Sequence, residues 1–349
     1  MRAAVTSDDW SAYLSDPAWL PHAYDPARDA LTFAHVPREA QRRITFLDPR
    51  FIPRSAESHA VALTDLPPAR VRAASGPLRF IFHTGFCCST LLTRALDIPG
   101  VSMGLKEPAV LASFAEYWSG TRRTAGAFEA LIVALDLLSR PFGPGETQIV
   151  KPSTVANHII PQLLHARRDA KAIVLFSSLD SFLRAIARRG QEGRIFARQL
   201  FRQFAPVIPL DSGFSDEDTL LQADLQVAAQ AWLMQAAFME TIARRFGVDH
   251  VRVLSKETLL ARPADTLHQV GRFFGADISE PRAAEIAAGP VFREHAKELG
   301  RPFDAAAAQA QHDEAGAAHR VELVTALSWA RTLAARCNAP LVLQETLFA

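Results

Sequence analysis

The stretch from Leu78 to Asp97, LRFIFHTGFCCSTLLTRALD, constrains this chain more than any other. An apolar run (Leu78, Phe80, Ile81, Phe82) gives way to small residues (Thr84, Gly85, Cys87, Cys88, Ser89, Thr90). Leu91, Leu92, Ala95 and Leu96 then recur at helical spacing. The pattern predicts a strand, a tight loop and a helix. The first turn of such a helix leaves backbone N–H groups unpaired at the positive end of the macrodipole, where an anion can bind. Gly85 permits the sharp turn, and Ser89 and Thr90 add hydroxyl donors. The plainer alternative is a buried strand–turn–helix with no ligand.

A Walker A loop needs a second glycine and a lysine. This chain offers Gly85-Phe86-Cys87-Cys88-Ser89-Thr90, which disfavours an ordinary ATPase or GTPase. The loop instead resembles that of the sulfotransferase superfamily, whose 5′-phosphosulfate loop reads roughly P-[KR]-S-G-[ST]-T-x-L between strand and helix. Ser89-Thr90-Leu91-Leu92 match it well, Gly85 and Cys87 match loosely, and Phe86 stands in place of the basic residue. A second stretch carries the same resemblance. After the strand His250 to Leu254, the spacing of Glu257, Leu259, Pro263, Leu267, Phe273, Phe274 and Gly275 fits x-x-x-[YK]-E-x-L-x-x-x-P-x-x-x-L ending near F-[FL]-G.

The resemblance covers about Leu78 to Gly275. It implies an α/β fold of three layers, α/β/α, around a central parallel sheet of the P-loop nucleoside triphosphate hydrolase-like kind. It also implies 3′-phosphoadenosine 5′-phosphosulfate as co-substrate, a hydroxyl or amine as acceptor, and no metal. Gly85, Phe86, Cys87, Cys88, Ser89 and Thr90 become the nucleotide loop. In the family the strand equivalent to Lys171–Phe176 ends in an arginine with a serine eight residues on, and the pair grips the 3′-phosphate. Here those positions are Ser177 and Ala185, so Ser177, Ser178, Arg184 and Arg188 are the substitutes available. Arginines at i and i+4 share a helix face, and solvent is the competing partner for them.

Other candidates come from strand ends. Val101 to Leu105 reads as a short strand closing at Lys106-Glu107-Pro108, with Pro108 starting a helix through Leu111, Phe114, Ala115 and Trp118. Glu107 then stands at the carboxyl edge of a parallel sheet, where ligands bind, and is the general-base candidate; Lys106 is a candidate to offset charge. Gln148-Ile149-Val150 runs likewise into Lys151, a second candidate cation. His83 is either a base or a satisfied strand-end histidine. The adjacent thiols Cys87 and Cys88 are either reactive or merely small. The plainer roles for the others are a helix-terminal carboxylate at Glu107 and snorkelling side chains at Lys106 and Lys151.

The 38 Lys+Arg against 37 Asp+Glu leave a net charge of +1, which gives no electrostatic case for nucleic acid or a membrane surface. Three cysteines make no disulfide framework, the histidines lack ligand spacing, and no long apolar run is present. A cytoplasmic chain without a metal is expected. Residues 1–74 read as an extension wrapping the core, 75–280 as the α/β core and 281–349 as a helical extension. The long helix of the core starts at Asp218 or Thr219 and runs to about Phe246, and Arg194, Arg198 and Arg202 give the helix before it a solvated basic edge. Two further readings stay open: a catalytically degenerate scaffold that binds a nucleotide or partner, and an ATP-dependent small-molecule kinase, which would need a Mg²⁺ carboxylate. Acceptor and oligomeric state are not legible.

Overall fold

The computed structural model describes residues 10–120, 126–297, 300–302, 310, 314 and 316–349, with side chains from Tyr13 onward except that of Asp216. Most of the Ala-rich run Asp304 to Ala318 lies outside the described residues. Two compact units divide the chain. One comprises Met1–Ile81, Leu92–Ala172 and Gly271–Ile278; the other comprises Phe82–Leu91, Ile173–Val270 and Ser279–Ala349.

In the first unit, residues that carry no strand signal form a three-stranded antiparallel sheet: β1 (Trp19–Asp25), β2 (Ala30–His35) and β3 (Ser58–Ala62), in that order. The sequence, which reads this stretch only as an extension, does not show these strands. The cause is that β2 is covered on both faces: Ala30, Leu31, Phe33 and Ala34 are all buried, so the alternation that marks a half-exposed strand is missing. Tyr24 of β1 stacks on Phe114, ring centroids 4.7 Å apart, and its N–H donates to Ser113 Oγ at 3.0 Å. The fully buried Arg140 donates to the carbonyls of Tyr13, Asp16 and Trp19, which fastens the N-terminal segment.

The second sheet follows from apolar strands alternating with helices. Its strands are β4 (Leu78–His83), β5 (Ser102–Lys106), β6 (Thr147–Lys151), β7 (Lys171–Phe176) and β8 (Val251–Ser255), ordered β5-β6-β4-β7-β8. It is a parallel sheet flanked by helices, as expected for this α/β class. In the first unit Leu78 pairs with Gln148 and Phe80 with Val150, while Lys106 pairs with Lys151. The two lysines are therefore register partners at the carboxyl end of their strands. Gly104 of β5 is required by close approach, since a Cβ there would lie 2.5 Å from the carbonyl oxygen of Thr93.

In the second unit the expected single long helix is two. Ser215 caps Asp216–Leu221 through a capping box with Asp218, and Asp224–Phe246 then begins afresh after Gln222-Ala223. Leu221 and Leu225 keep helical spacing across the break, which hides it in the sequence. Trp232, fully buried on the longer helix, donates Nε1–H to Ser177 O at 3.1 Å and so fixes the end of β7. Arg194 and Arg198 do not face bulk solvent alone: both bond Asp224, and Arg194 also reaches Glu322. Thr346 N–H donates to Val253 O at 3.0 Å, laying residues 345–347 along β8. Among the described residues no helix is long and apolar enough to cross a membrane.

Candidate functional site

β4 ends at His83 and the loop begins at Thr84, whose N–H donates to Leu175 O of β7 at 3.2 Å. Gly85 N–H points back to His83 Nδ1 at 3.3 Å. That makes Nδ1 an acceptor, so the neutral ring carries its hydrogen on Nε2. Three loop residues then take the left-handed backbone region: Gly85 at φ +86°, Phe86 at +49° and Cys88 at +63°. Among the described residues, the non-glycine positions with positive φ are Asp29, Phe86, Cys88, Glu107 and Asn338, and three of these are site candidates. Each such residue costs about 1–3 kcal/mol, and strain of this kind concentrates at functional sites. The helix Ser89–Ala95 follows without a spacer, with Ser89 and Thr90 buried in its first turn.

Phe86 is held by packing. Its ring packs on Phe182 and Phe196 at 5.7 and 5.3 Å, with the Arg189 guanidinium 4.9 Å from its centroid. The residue anchors the loop to the helices Leu179–Arg188 and Gly190–Phe204. Burial pushes the Cys88 thiol up, against smaller opposing fields from Lys256 and Lys297. A protonated thiol at neutral pH is a poor nucleophile, which favours small size over reactivity for this residue. Cys87 is buried beside it. Two hydroxyls, Thr84 Oγ1 and Ser177 Oγ, are fully buried without a hydrogen-bond partner. Buried unsatisfied polar atoms are rare and costly, and this pair stands at the ends of neighbouring strands.

At the end of β7, Ser178 caps the helix Leu179–Arg188 by accepting from Ser181 N–H at 3.2 Å. Glu257 closes the same helix end. Its Oε1 accepts from Ser178 N–H at 3.3 Å, Ser178 Oγ at 3.0 Å and Ser181 Oγ at 2.9 Å. Arg184 is bound to Asp180 at 2.7 Å, and its guanidinium fills the space that a Cβ on Gly316 would take. Glu257 and its neighbour Lys256 start the helix Lys256–Ala261, whose Ser255 cap is held by Glu345. The sequence marks Glu257 only as a spacing match; what it touches, 76 and 79 residues away, is set by the fold.

The first unit brings two candidates together. Lys151 Nζ donates to Glu107 Oε1 at 2.5 Å, and the lysine side chain is 0% exposed while that of Glu107 is 13% exposed. Glu107 sits at φ +54°, and its N–H donates to Lys151 O at 2.7 Å, so backbone and side chain lock the same pair. The Lys151 ammonium also lies 5.2 Å from the Phe46 ring centroid. Lys106 turns elsewhere and donates to Arg42 O at 2.7 Å. Burial lowers its pKa to about 8. Pro108, expected at the first helical position, stands one residue earlier as the cap of Ala109–Ser119. Among the described residues no three His, Cys, Asp or Glu side chains cluster as metal ligands would.

No protein-family profile matches the chain, and no curated protein does. Solved structures similar to it include the sulfotransferase domain from the curacin biosynthetic pathway, at 15% identity over 65% of this chain and 84% of that one, TM-score 0.40. A sulfotransferase from Alicyclobacillus acidocaldarius matches at 17% identity over 58% and 81%, TM-score 0.36. The sulfotransferase domain of a Synechococcus olefin synthase matches at 16% identity over 69% and 87%, TM-score 0.39. Scores this low leave the functional reading to the residues themselves.

Proposed function

We propose that the chain transfers a sulfuryl group from a nucleoside 5′-phosphosulfate to a hydroxyl or amine acceptor. The donor implied by the sequence resemblance is 3′-phosphoadenosine 5′-phosphosulfate. The observation that carries the reading is the left-handed turn Gly85–Cys88 leading directly into the helix at Ser89, with the buried, unpartnered hydroxyls of Thr84 and Ser177 beside it. Backbone N–H groups between Gly85 and Thr90, with the Ser89 and Thr90 hydroxyls, are the donors that would hold the 5′-phosphate. In the transfer the bond from sulfur to the bridging phosphate oxygen breaks as the bond to the acceptor forms, and the acceptor's proton leaves to a base. Glu107, a carboxylate paired with Lys151, is the proposed base. Lys106 and Lys151 are the candidate cations to offset developing charge, the first bonded to Arg42 O and the second to Glu107.

A binding-only scaffold is favoured by one observation, an aromatic ring packed on Phe182 and Phe196 at the loop position where the sequence resemblance calls for a basic residue. One pair of measurements separates the two readings. Adenosine 5′-phosphate and 3′-phosphoadenosine 5′-phosphate are each added to the full chain in a thermal-shift assay, beside ATP with Mg²⁺, since a ligand bound to the folded state raises Tm. Sulfated product from a phenol or amine panel is then sought by mass spectrometry, with Glu107→Gln as control. Sulfated product that disappears in Glu107→Gln, with the nucleotide shift retained, supports transfer. A nucleotide shift with no product supports the scaffold, and a shift with ATP and Mg²⁺ alone supports a kinase.

A further inference from the structure

The end of β7 is where this chain's chemistry specifies its donor more closely, and the inference rests on the function proposed above. In an open parallel sheet a nucleotide whose 5′-phosphate sits in the loop after one strand lays its sugar over the end of the neighbouring strand. β7 neighbours β4, and Thr84 N–H to Leu175 O ties the start of the loop to it. What waits at that end is not a cation. Ser177, Ser178 and Ser181 supply hydroxyls, and Glu257 Oε1 accepts from Ser178 N–H and from both the Ser178 and Ser181 hydroxyls. The nearest guanidinium on the helix, Arg184, is bound to Asp180 and laid against Gly316.

We infer that Glu257, fixed by Ser178 and Ser181 at the end of β7, makes this a site for a nucleotide whose ribose hydroxyls are free, an adenosine 5′-phosphosulfate rather than its 3′-phosphorylated form. The physical reason is sign. The helix end that could receive an anion already holds a carboxylate, so a phosphate dianion brought there meets a like charge and finds its N–H donor occupied. A sugar hydroxyl meets an acceptor instead, because Glu257 is exposed and a carboxylate oxygen accepts more than one hydrogen bond. An acidic residue at a strand end reads a ribose hydroxyl in other dinucleotide-type sheets by the same rule, where a basic one takes the phosphate. The fields of Lys256 and Glu257 both reach Cys88 in the loop, with opposite sign, so the carboxylate and its neighbouring ammonium offset one another there.

The test is isothermal titration of the full chain with adenosine 5′-phosphate and with 3′-phosphoadenosine 5′-phosphate, the products of the two candidate donors. The wild-type chain should bind the first at least about tenfold more tightly than the second. Glu257→Gln, which keeps an acceptor oxygen and removes the charge, should shrink that ratio to about threefold or less. If the 3′-phosphorylated nucleotide binds equally or more tightly, the inference is overturned while the sulfuryl-transfer reading stands. If neither nucleotide binds, both fall together. The wild-type ratio decides the matter even if Glu257→Gln folds poorly.

Discussion

Replacing Lys151 with methionine isolates the energetics of the buried pair at the strand ends. At 2.5 Å and an effective dielectric of about 20, the Lys151–Glu107 attraction is about 7 kcal/mol gross. Desolvating both groups offsets most of it, so the net value of the pair is small. Removing one partner is different, because Glu107 at 13% exposure is left without its cation. Lys151→Met should therefore destabilise the fold by about 3–5 kcal/mol, measured by urea denaturation followed by far-UV circular dichroism. Adding Glu107→Leu should recover part of that loss, because the orphan charge leaves with it, giving a coupling of about 2 kcal/mol in the double-mutant cycle. A loss below about 1 kcal/mol for Lys151→Met, or strict additivity of the two changes, would refute this account.

Three other outcomes follow from single residues. The Lys106 ammonium titrates near 8 in the fold against about 10.5 unfolded, so the unfolded chain binds more protons between those values. Stability relative to Lys106→Met should therefore rise with pH across that window, by about 3 kcal/mol in total, and a flat difference from pH 7 to 10 would contradict the burial. Cys88, with its thiol pushed up by burial, should alkylate with iodoacetamide at pH 7.5 well below the rate of a free thiol, read by peptide mass mapping; labelling at the free rate would contradict it. Gly104→Ala should cost about 2–3 kcal/mol, because the added methyl meets the Thr93 carbonyl oxygen at 2.5 Å and a backbone atom cannot swing aside; an unchanged Tm would mean β5 has room to shift.

The central sheet is legible in the sequence because its strands are short apolar runs bounded by turn residues, and β7 matches its predicted limits Lys171 and Phe176. The helix that Pro108 announces also begins within one residue of it, at Ala109. β1 to β3 are not legible, since burial on both faces of β2 erases the period-two pattern. The break before Asp224 is hidden for the opposite reason, an apolar spacing that continues across it. For the candidate site, the loop residues and the strand-end lysines can be picked out one by one. What cannot be read is which of them meet. Lys151 finds Glu107 across 44 residues while Lys106, its register partner, turns to Arg42. Glu257 reaches Ser178 across 79 residues, a choice made by packing and not by spacing.

The segment at 345–347 has a reach beyond its size. Glu345 accepts from Ser255 N–H at 3.2 Å and Thr258 Oγ1 at 2.9 Å, so it grips the turn on which Lys256 and Glu257 are mounted. Whatever displaces Glu345 therefore pulls, through Ser255 and Thr258, on the carboxylate that closes the end of β7.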